Sequence, residues 1–285
     1  MTLSFQCDKI NSGIPGGVLQ RAPSAVPEYF PVITSNRPYS RTTFSGVSEM
    51  EYKIELHSHT YPVSECGCLS PEQLILCYKK AGYDAVNLTN HFHRKYVGDK
   101  TDDEAVSFYL KDFEEAKKAG QKVGIRVYLG AEFRFDGAHN DYLIEGASAE
   151  LLRECIKLFG GSYKDLYDTV HAHNAAVFQA HPFRPEQFTA PTEYLDGIEI
   201  YNMHPGQQSR NELAIAFAKE HGLRAISGSD THEFWHVGRG GVITDRLPEN
   251  GTELKDILLS GNYRLIHRPD YNFEEEESDF IKQIQ

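Results

Sequence analysis

Histidine and carboxylate residues recur at one place in the pattern of this 285-residue chain, the end of an apolar run. His57 and His59 follow Leu56, and His91 follows Leu88-Thr89-Asn90. Glu132 follows Leu129-Gly130-Ala131, and His181 follows Phe178-Gln179-Ala180. Glu199 lies between Ile198 and Ile200, and Asp230 and His232 follow Ala225 to Ser229. Imidazole and carboxylate together suit Zn, Mn or Fe, and a carboxylate can bridge two ions. His57-x-His59 in a strand puts both rings on one side of the pleat, within reach of one ion. So large a set could hold two or three ions, and paired ions acidify a shared water and clamp a phosphoryl group. One such His is ordinarily a hydrogen-bonded structural residue, but that reading does not account for six strand ends with the same chemistry.

These residues need a scaffold that brings strand ends together. From Met50 the pattern alternates strand, loop and helix. Strands are expected at 53–56, 84–89, 122–130, 142–144, 176–179, 197–201 and 224–227. Between them, Ser70-Pro71 starts a helix that Gly82 stops, and a helix over 102–118 closes at Gly120. Further helices are expected over 149–158, 162–174 and 209–220, with a last helix and strand within 254–266. Strands alternating with helices predict an α/β fold with a parallel sheet, and in a barrel of parallel strands the C-terminal ends converge on one mouth. Residues 1–49 carry Pro, Gly and Ser without a sustained period and read as an irregular extension, so Met50 is a candidate initiator. Residues 50–268 form the expected domain. Residues 269–285, with Glu274 to Glu277, read as a solvated acidic tail.

The ordered series His57-Ser58-His59-Thr60, Thr89-Asn90-His91, Gly130-Ala131-Glu132, Ala180-His181-Pro182, Gly197-Ile198-Glu199-Ile200-Tyr201-Asn202 and Gly228-Ser229-Asp230-Thr231-His232 resembles the successive motifs of the PHP (polymerase and histidinol phosphatase) superfamily. The resemblance implies a distorted (β/α)7 barrel with a two- or three-metal centre at the C-terminal strand ends, and hydrolysis of phosphate esters. By motif, His57 and His59 share one ion with Glu132 and Asp230. Glu132 bridges to a second ion held by His181, and His91 and His232 hold a third. Glu65 stands at the spacing where the family has an Asp or His and is assigned to that third ion. Two departures stand out. Asn90 replaces the usual Asp of Thr-Asp-His. Tyr142 occupies the position where the family supplies another His, so the resemblance leaves open whether a second ion binds, and whether Asp141 or His139 holds it.

The expected activity is therefore that of a metal-dependent phosphoesterase, most simply a phosphomonoesterase, using Mn, Zn or Fe. Hydroxide held by the ions would attack phosphorus in line. Arg184, three residues after His181, suits bidentate phosphate recognition. His204 and His236 could protonate the leaving oxygen, and Trp235 could stack on a base. The expected substrate is a small phosphoester of nucleotide, sugar or histidinol-phosphate type. The chain has neither a GxSxG nor a Gly-rich Lys-Ser/Thr loop. Two other readings are an amidohydrolase-like enzyme acting on a non-phosphate bond and a non-catalytic PHP domain that binds a metal or ligand.

Composition narrows the partners. The 41 Asp and Glu against 29 Lys and Arg give a net charge of −12, a poor footprint for duplex nucleic acid or an anionic membrane. No run is long enough for a transmembrane helix. The five cysteines lack a disulfide framework, so a reducing, cytoplasmic setting is expected. Cys66-Gly67-Cys68 is the one close pair and by itself defines no site. Cys77 and Cys155 fall on apolar helix faces and read as core.

Overall fold

The computed structural model describes residues 32–33, 50–98 and 100–285. Apart from Val32 and Ile33, the extension expected over 1–49 lies outside the described residues. In chain order the elements are β1 (Val32–Ile33), β2 (Tyr52–Glu55), α1 (Pro71–Lys80), β3 (Ala85–Leu88), β4 (His91–Phe92), α2 (Arg94–Val97), α3 (Asp102–Val123), β5 (Arg126–Leu129), β6 (Ala131–Arg134) and β7 (Asp141–Glu145). There follow α4 (Ala149–Lys157), α5 (Tyr163–Ala172), β8 (Ala176–Gln179), β9 (Gly197–Asn202), α6 (Asn211–His221), β10 (Arg224–Gly228), β11 (Val242–Thr244), α7 (Gly251–Ser260), β12 (Arg264–Ile266), α8 (Phe273–Glu276) and α9 (Ser278–Ile284).

The fold is mixed α/β. Its strands form two six-stranded sheets, ordered β1-β12-β11-β2-β3-β5 and β10-β9-β8-β7-β6-β4. A parallel sheet, open or closed into a barrel, was expected. Instead β7 runs antiparallel to β6 and β8, and β11 runs antiparallel to β2 and β12. The β6–β7 connection, residues 135–140, is too short for the helical crossover a parallel pair needs, so the chain folds straight back.

The two sheets are joined along two seams. At one, the chain passes from β3 through Thr89-Asn90 into β4, and from β5 through Gly130 into β6. The Gly130 amide donates to Leu88 O (2.9 Å) and the Glu132 amide to Asn90 O (3.0 Å). The Tyr109 hydroxyl sits 2.7 and 2.9 Å from the carbonyls of Asn90 and Gly130, where the strands break. At the other seam Ser58 bridges Thr231 in parallel, and the His59 amide donates to Thr231 O (2.9 Å).

The helices begin where the sequence marks them. Ser70 and Gln73 form a reciprocal capping box on α1, and Thr101 with Glu104 does the same on α3. Such a cap is worth about 1 kcal/mol. The larger stabilisation is burial: Leu74, Ile75, Cys77 and Tyr78 of α1 are all closed to solvent. A fully buried side chain of the Leu class contributes ~1.5–3 kcal/mol.

Gly120 does not end α3. The helix continues to Val123 and stops at Gly124, which takes the left-handed conformation at φ +69°. Gly120 is small for another reason: a Cβ there would lie 2.5 Å from the Ile125 carbonyl. The strand expected from residue 122 accordingly starts at Arg126. The C-terminal segment also differs from a solvated tail. Glu274, Glu275 and Glu276 are exposed, but Phe273 and Ile281 of α8 and α9 are buried in a core cluster with α1. Among the described residues no helix is long and apolar enough to cross a membrane.

Candidate metal centre

His57 and His59 extend from the end of β2, held by Glu55. This buried carboxylate accepts from the amides of Leu56, His57 and Ser229 and from the hydroxyls of Tyr78 and Ser229. One side chain thus ties the end of β2 to the end of β10. The approach is close: a Cβ on Gly228 would lie 2.4 Å from His57 Cβ and 2.6 Å from Glu199 Oε1. His91 and Glu132 are register partners of β4 and β6. His181 follows β8, and Asp230 and His232 follow β10. His181 (φ +29°) and Asp230 (φ +50°) both hold the left-handed region that side chains other than glycine rarely occupy, a strain that collects at functional sites.

These residues converge. Nε2 of His57 lies 3.3 Å from Glu132 Oε1 and 3.4 Å from Asp230 Oδ1. Nε2 of His59 lies 3.5 and 3.3 Å from oxygens of the same two carboxylates. Nδ1 of His91 is 2.6 Å from Glu132 Oε2, and Nε2 of His181 is 3.0 Å from Glu132 Oε1. Yet Nε2 of His57, Nε2 of His59, Nδ1 of His91 and Oε2 of Glu132 are buried without a hydrogen bond of proper geometry. Buried polar atoms ordinarily have partners, so four such atoms facing one another call for an ion.

The far side of four of the rings is held as well. His57 Nδ1 faces Glu199 Oε1 (3.0 Å), and His232 Nδ1 faces the Asp230 carbonyl (3.0 Å). His181 Nδ1 faces Gln187 Oε1 (3.0 Å), whose amide nitrogen donates to His139 O. His59 Nδ1 faces Ser64 Oγ (3.3 Å), and that hydroxyl already donates to Asn90 Oδ1 (2.9 Å). Each contact offers an acceptor at Nδ1. A proton held there would leave the Nε2 lone pair to turn onto an ion, as metal-ligating histidines are held.

Charge balance points the same way. Burial alone would lower His57, but Asp230, Glu199 and Glu132 raise it well above the ordinary imidazole range. Burial opposes the charge on Glu132 too, yet His91 and His57 hold its carboxyl well below the usual range. Asp230 is held low against burial by His57 and Arg184. His59, buried beside His232 and His91, is pushed well down. The cavity favours positive charge at its centre. His57, Glu132 and His181 form one group of donors, His57, His59 and Asp230 another, and His59, His91 and His232 a third, each with its atoms within 4.8 Å of one another. Imidazole and carboxylate donors fit divalent Zn, Mn or Fe.

Seven of the eight ligands expected from sequence are thus brought together: His57, His59, His91, Glu132, His181, Asp230 and His232. Glu65 is not among them. It is exposed, lies in none of these groups and does not line the cavity. Its neighbour Cys66, also exposed and in none of these groups, is the one that lines the cavity, with His91 and His232. Strand alternation also turns Tyr142 away, into a nest with Phe135 and Tyr163. Asp141 faces in, 3.9 Å from His181 Nε2, but is clamped by Arg134 through two 2.6 Å hydrogen bonds.

The cavity measures about 1030 Å3, and Lys95, Arg134, Arg184, Trp235 and Glu233 also line it. Arg184 Nη2 donates to Asp230 Oδ2 (2.5 Å) and Asn202 Oδ1 (2.8 Å). The rings of His204 and His236 stand 4.3 Å apart. His204 Nδ1 accepts from the Gly206 amide and His236 Nδ1 from the His232 amide, so both carry their proton on Nε2. Burial lowers His204 to about 4 against Asp230, with His232 and Arg184 adding, and burial with His204 and His232 lowers His236 to about 2. Sequence reasoning missed the place of Cys66 on the cavity wall and the Arg134–Asp141 clamp, since neither lies at a motif position.

The chain is thus an α/β protein built around a buried cluster of imidazoles and carboxylates. Residues 208–260, which carry Asp230 and His232, match the family described as PHP-associated. A two-domain protein from Bacteroides vulgatus containing a predicted PHP-like metal-dependent phosphoesterase has a similar fold, with 19% identity and a TM-score of 0.54 over 77% of this chain and 65% of that one. PsfC from Pseudomonas syringae is 13% identical with a TM-score of 0.54, over 82% of this chain and 99% of that one. A lesion-specific endonuclease from Pyrococcus furiosus is 13% identical with a TM-score of 0.49, over 76% of this chain and 58% of that one. No curated protein sequence matches the chain. The PHP-associated match covers residues 208–260, and the solved structures share the fold.

Proposed function

We propose that residues 50–268 form a metal-dependent phosphoesterase that hydrolyses small phosphate esters, and that its two sheets are one distorted barrel interrupted at the two seams. The observation that carries the reading is the set of four imidazoles tied at Nδ1, with Nε2 turned onto Glu132 and Asp230 or into the cavity beside them. His57, His59, Glu132 and Asp230 would hold one divalent ion, and Glu132 would extend to His181. Ions bound there would neutralise phosphoryl charge and acidify water.

The chain's own groups supply the rest. Arg184 steadies Asp230 and presents the remaining edge of its guanidinium to the cavity, where it suits a phosphate oxygen. His204 and His236, neutral with Nε2–H, act as hydrogen-bond donors. Lys95 and Arg134 add positive charge to the wall. A pocket of this size suits a small ester.

The test couples metal analysis of freshly purified protein to phosphate release from a panel of nucleotides, sugar phosphates and histidinol phosphate, with single- and double-stranded oligonucleotides alongside. Bound metal with release from a small ester supports the reading. Cleavage of oligonucleotides alone overturns the substrate class. Metal without turnover of any phosphoester overturns the phosphoesterase.

A further inference from the structure

We propose that Cys66, not Glu65, is the protein donor that joins His91 and His232 at a third ion position, making that position a mixed thiolate–imidazole site. The proposal rests on the metal-centre reading above and deepens it.

Three observations place the thiol there. Its side chain lines the cavity with His91 and His232, and the Tyr96 hydroxyl approaches Sγ at 3.6 Å. Tyr96 in turn stacks on the His91 ring at 5.1 Å and 9°. The loop is fixed rather than merely near. The Cys68 amide donates to the His232 carbonyl (2.8 Å), and the Gly67 amide donates to Ser64 O (2.9 Å). Cys66 is thereby set against the residue it would share an ion with. Finally, His59 Nε2 is buried without a hydrogen bond of proper geometry and belongs, with His91 and His232, to a group of metal-donor atoms within 4.8 Å of one another. Two imidazoles and a sulfur facing one space, with an orphaned third imidazole behind them, describe a cation site.

The donor set fixes the preference. A thiolate is a soft ligand, and sulfur with imidazole selects Zn over Mn, whereas a carboxylate at this point would favour the harder ion. Binding deprotonates the thiol, and the proton leaves to solvent as the S–metal bond forms.

The test uses the full chain loaded with Co2+ and, separately, with Zn2+. The wild type is compared with Cys66→Ser, Cys66→Asp, Cys68→Ser and Glu65→Gln, each checked for folding by circular dichroism. The cobalt protein is expected to show a near-ultraviolet thiolate-to-cobalt charge-transfer band. That band should persist in Cys68→Ser and Glu65→Gln and vanish in Cys66→Ser, which should also bind one zinc fewer per chain. Cys66→Asp should regain the lost ion without the band and shift competition from zinc toward manganese. Metal-loaded wild type without the band, or loss of the ion in Glu65→Gln rather than Cys66→Ser, would overturn the assignment and leave the metal centre standing. Wild type that binds no metal overturns both.

Discussion

Glu199 holds His57: Oε1 of the carboxylate lies 3.0 Å from Nδ1 of the ring, and both side chains are fully buried. Its other oxygen accepts from the His181 amide (3.0 Å) and Asn202 Nδ2 (2.9 Å). One carboxylate on β9 therefore orients a ring from β2 and the backbone of a residue after β8. Glu199→Gln would keep the shape but remove the charge that fixes the Nδ1 proton. Loss of such a partner typically lowers metal affinity by roughly 10–100-fold. Competition with a chelator would measure it, with an unchanged fold by circular dichroism. Unchanged affinity would show that Glu199 does not set the orientation of His57.

Asn90 is the residue where the motif usually has an aspartate, and its neighbours explain the change. Its Oδ1 accepts from the Thr60 amide (2.7 Å) and the Ser64 hydroxyl. Its Nδ2 donates to Thr60 Oγ1 (2.8 Å), whose own proton goes to Asp112 Oδ2 (2.8 Å). An aspartate at 90 would set a carboxylate against an oxygen with no proton left to give. Asn90→Asp should cost about 1–3 kcal/mol in chemical unfolding. Asp112→Asn, by offering an amide to Thr60, should recover part of that loss in the double variant. If the double variant loses the sum of the two single losses, the relay is not the cause.

Much of the cluster was legible in sequence because its imidazoles and carboxylates stand at strand ends in a fixed order, and the order survives any detail of packing. Helix starts at Ser70 and Ser162 were legible because capping is local. What stayed hidden depends on the third dimension. Gly120 reads as a stop, yet its smallness serves the Ile125 carbonyl across the turn. The direction of β7 turns on a short connection. Tyr142 and Asp141 exchange faces by the strand's period of two, so a register shift of one residue decides which reaches the site. Glu65 and Cys66 differ in the same way, since a loop has no period from which to read the inward residue.

Glu145 makes stability depend on pH. It is buried, its Oε2 accepts from Asn87 Nδ2 (2.7 Å), and Oε1 has no partner. Burial is the main cause that pushes its carboxyl up to about 8, with His57 opposing and Glu199 adding. The fold therefore prefers the protonated form. The stability this contributes is complete below the unfolded value of 4.5 and is lost as pH rises from there to about 8. Each pH unit within that window removes about 1.4 kcal/mol per group. Glu145→Gln keeps an acceptor for Asn87 and cannot ionise. Urea unfolding of metal-stripped protein between pH 5 and 8 should show a shallower decline for the variant, and greater stability than wild type at pH 8. Parallel curves would mean that Glu145 stays ionised in the fold.

Arg184 separates recognition of phosphate from assembly of the centre. Its Nη2 is committed to Asp230 and Asn202, while its Nε is buried without a partner, so part of the guanidinium is left for a ligand. Asp230 also has Asn202 Nδ2 at 3.1 Å and the two HxH rings beside Oδ1, so it stays held when the arginine is removed. Arg184→Ala should therefore keep its metal content and lower kcat/KM for a phosphoester by roughly 10²–10³, the usual cost of removing one preorganised donor to a developing charge. Arg184→Lys should recover little, because an ammonium cannot reproduce the planar fork. Inorganic phosphate should protect the wild type against thermal unfolding and protect Arg184→Ala much less. If the metal is lost together with the activity, Arg184 serves to position Asp230, and phosphate is held by the cavity's other cations.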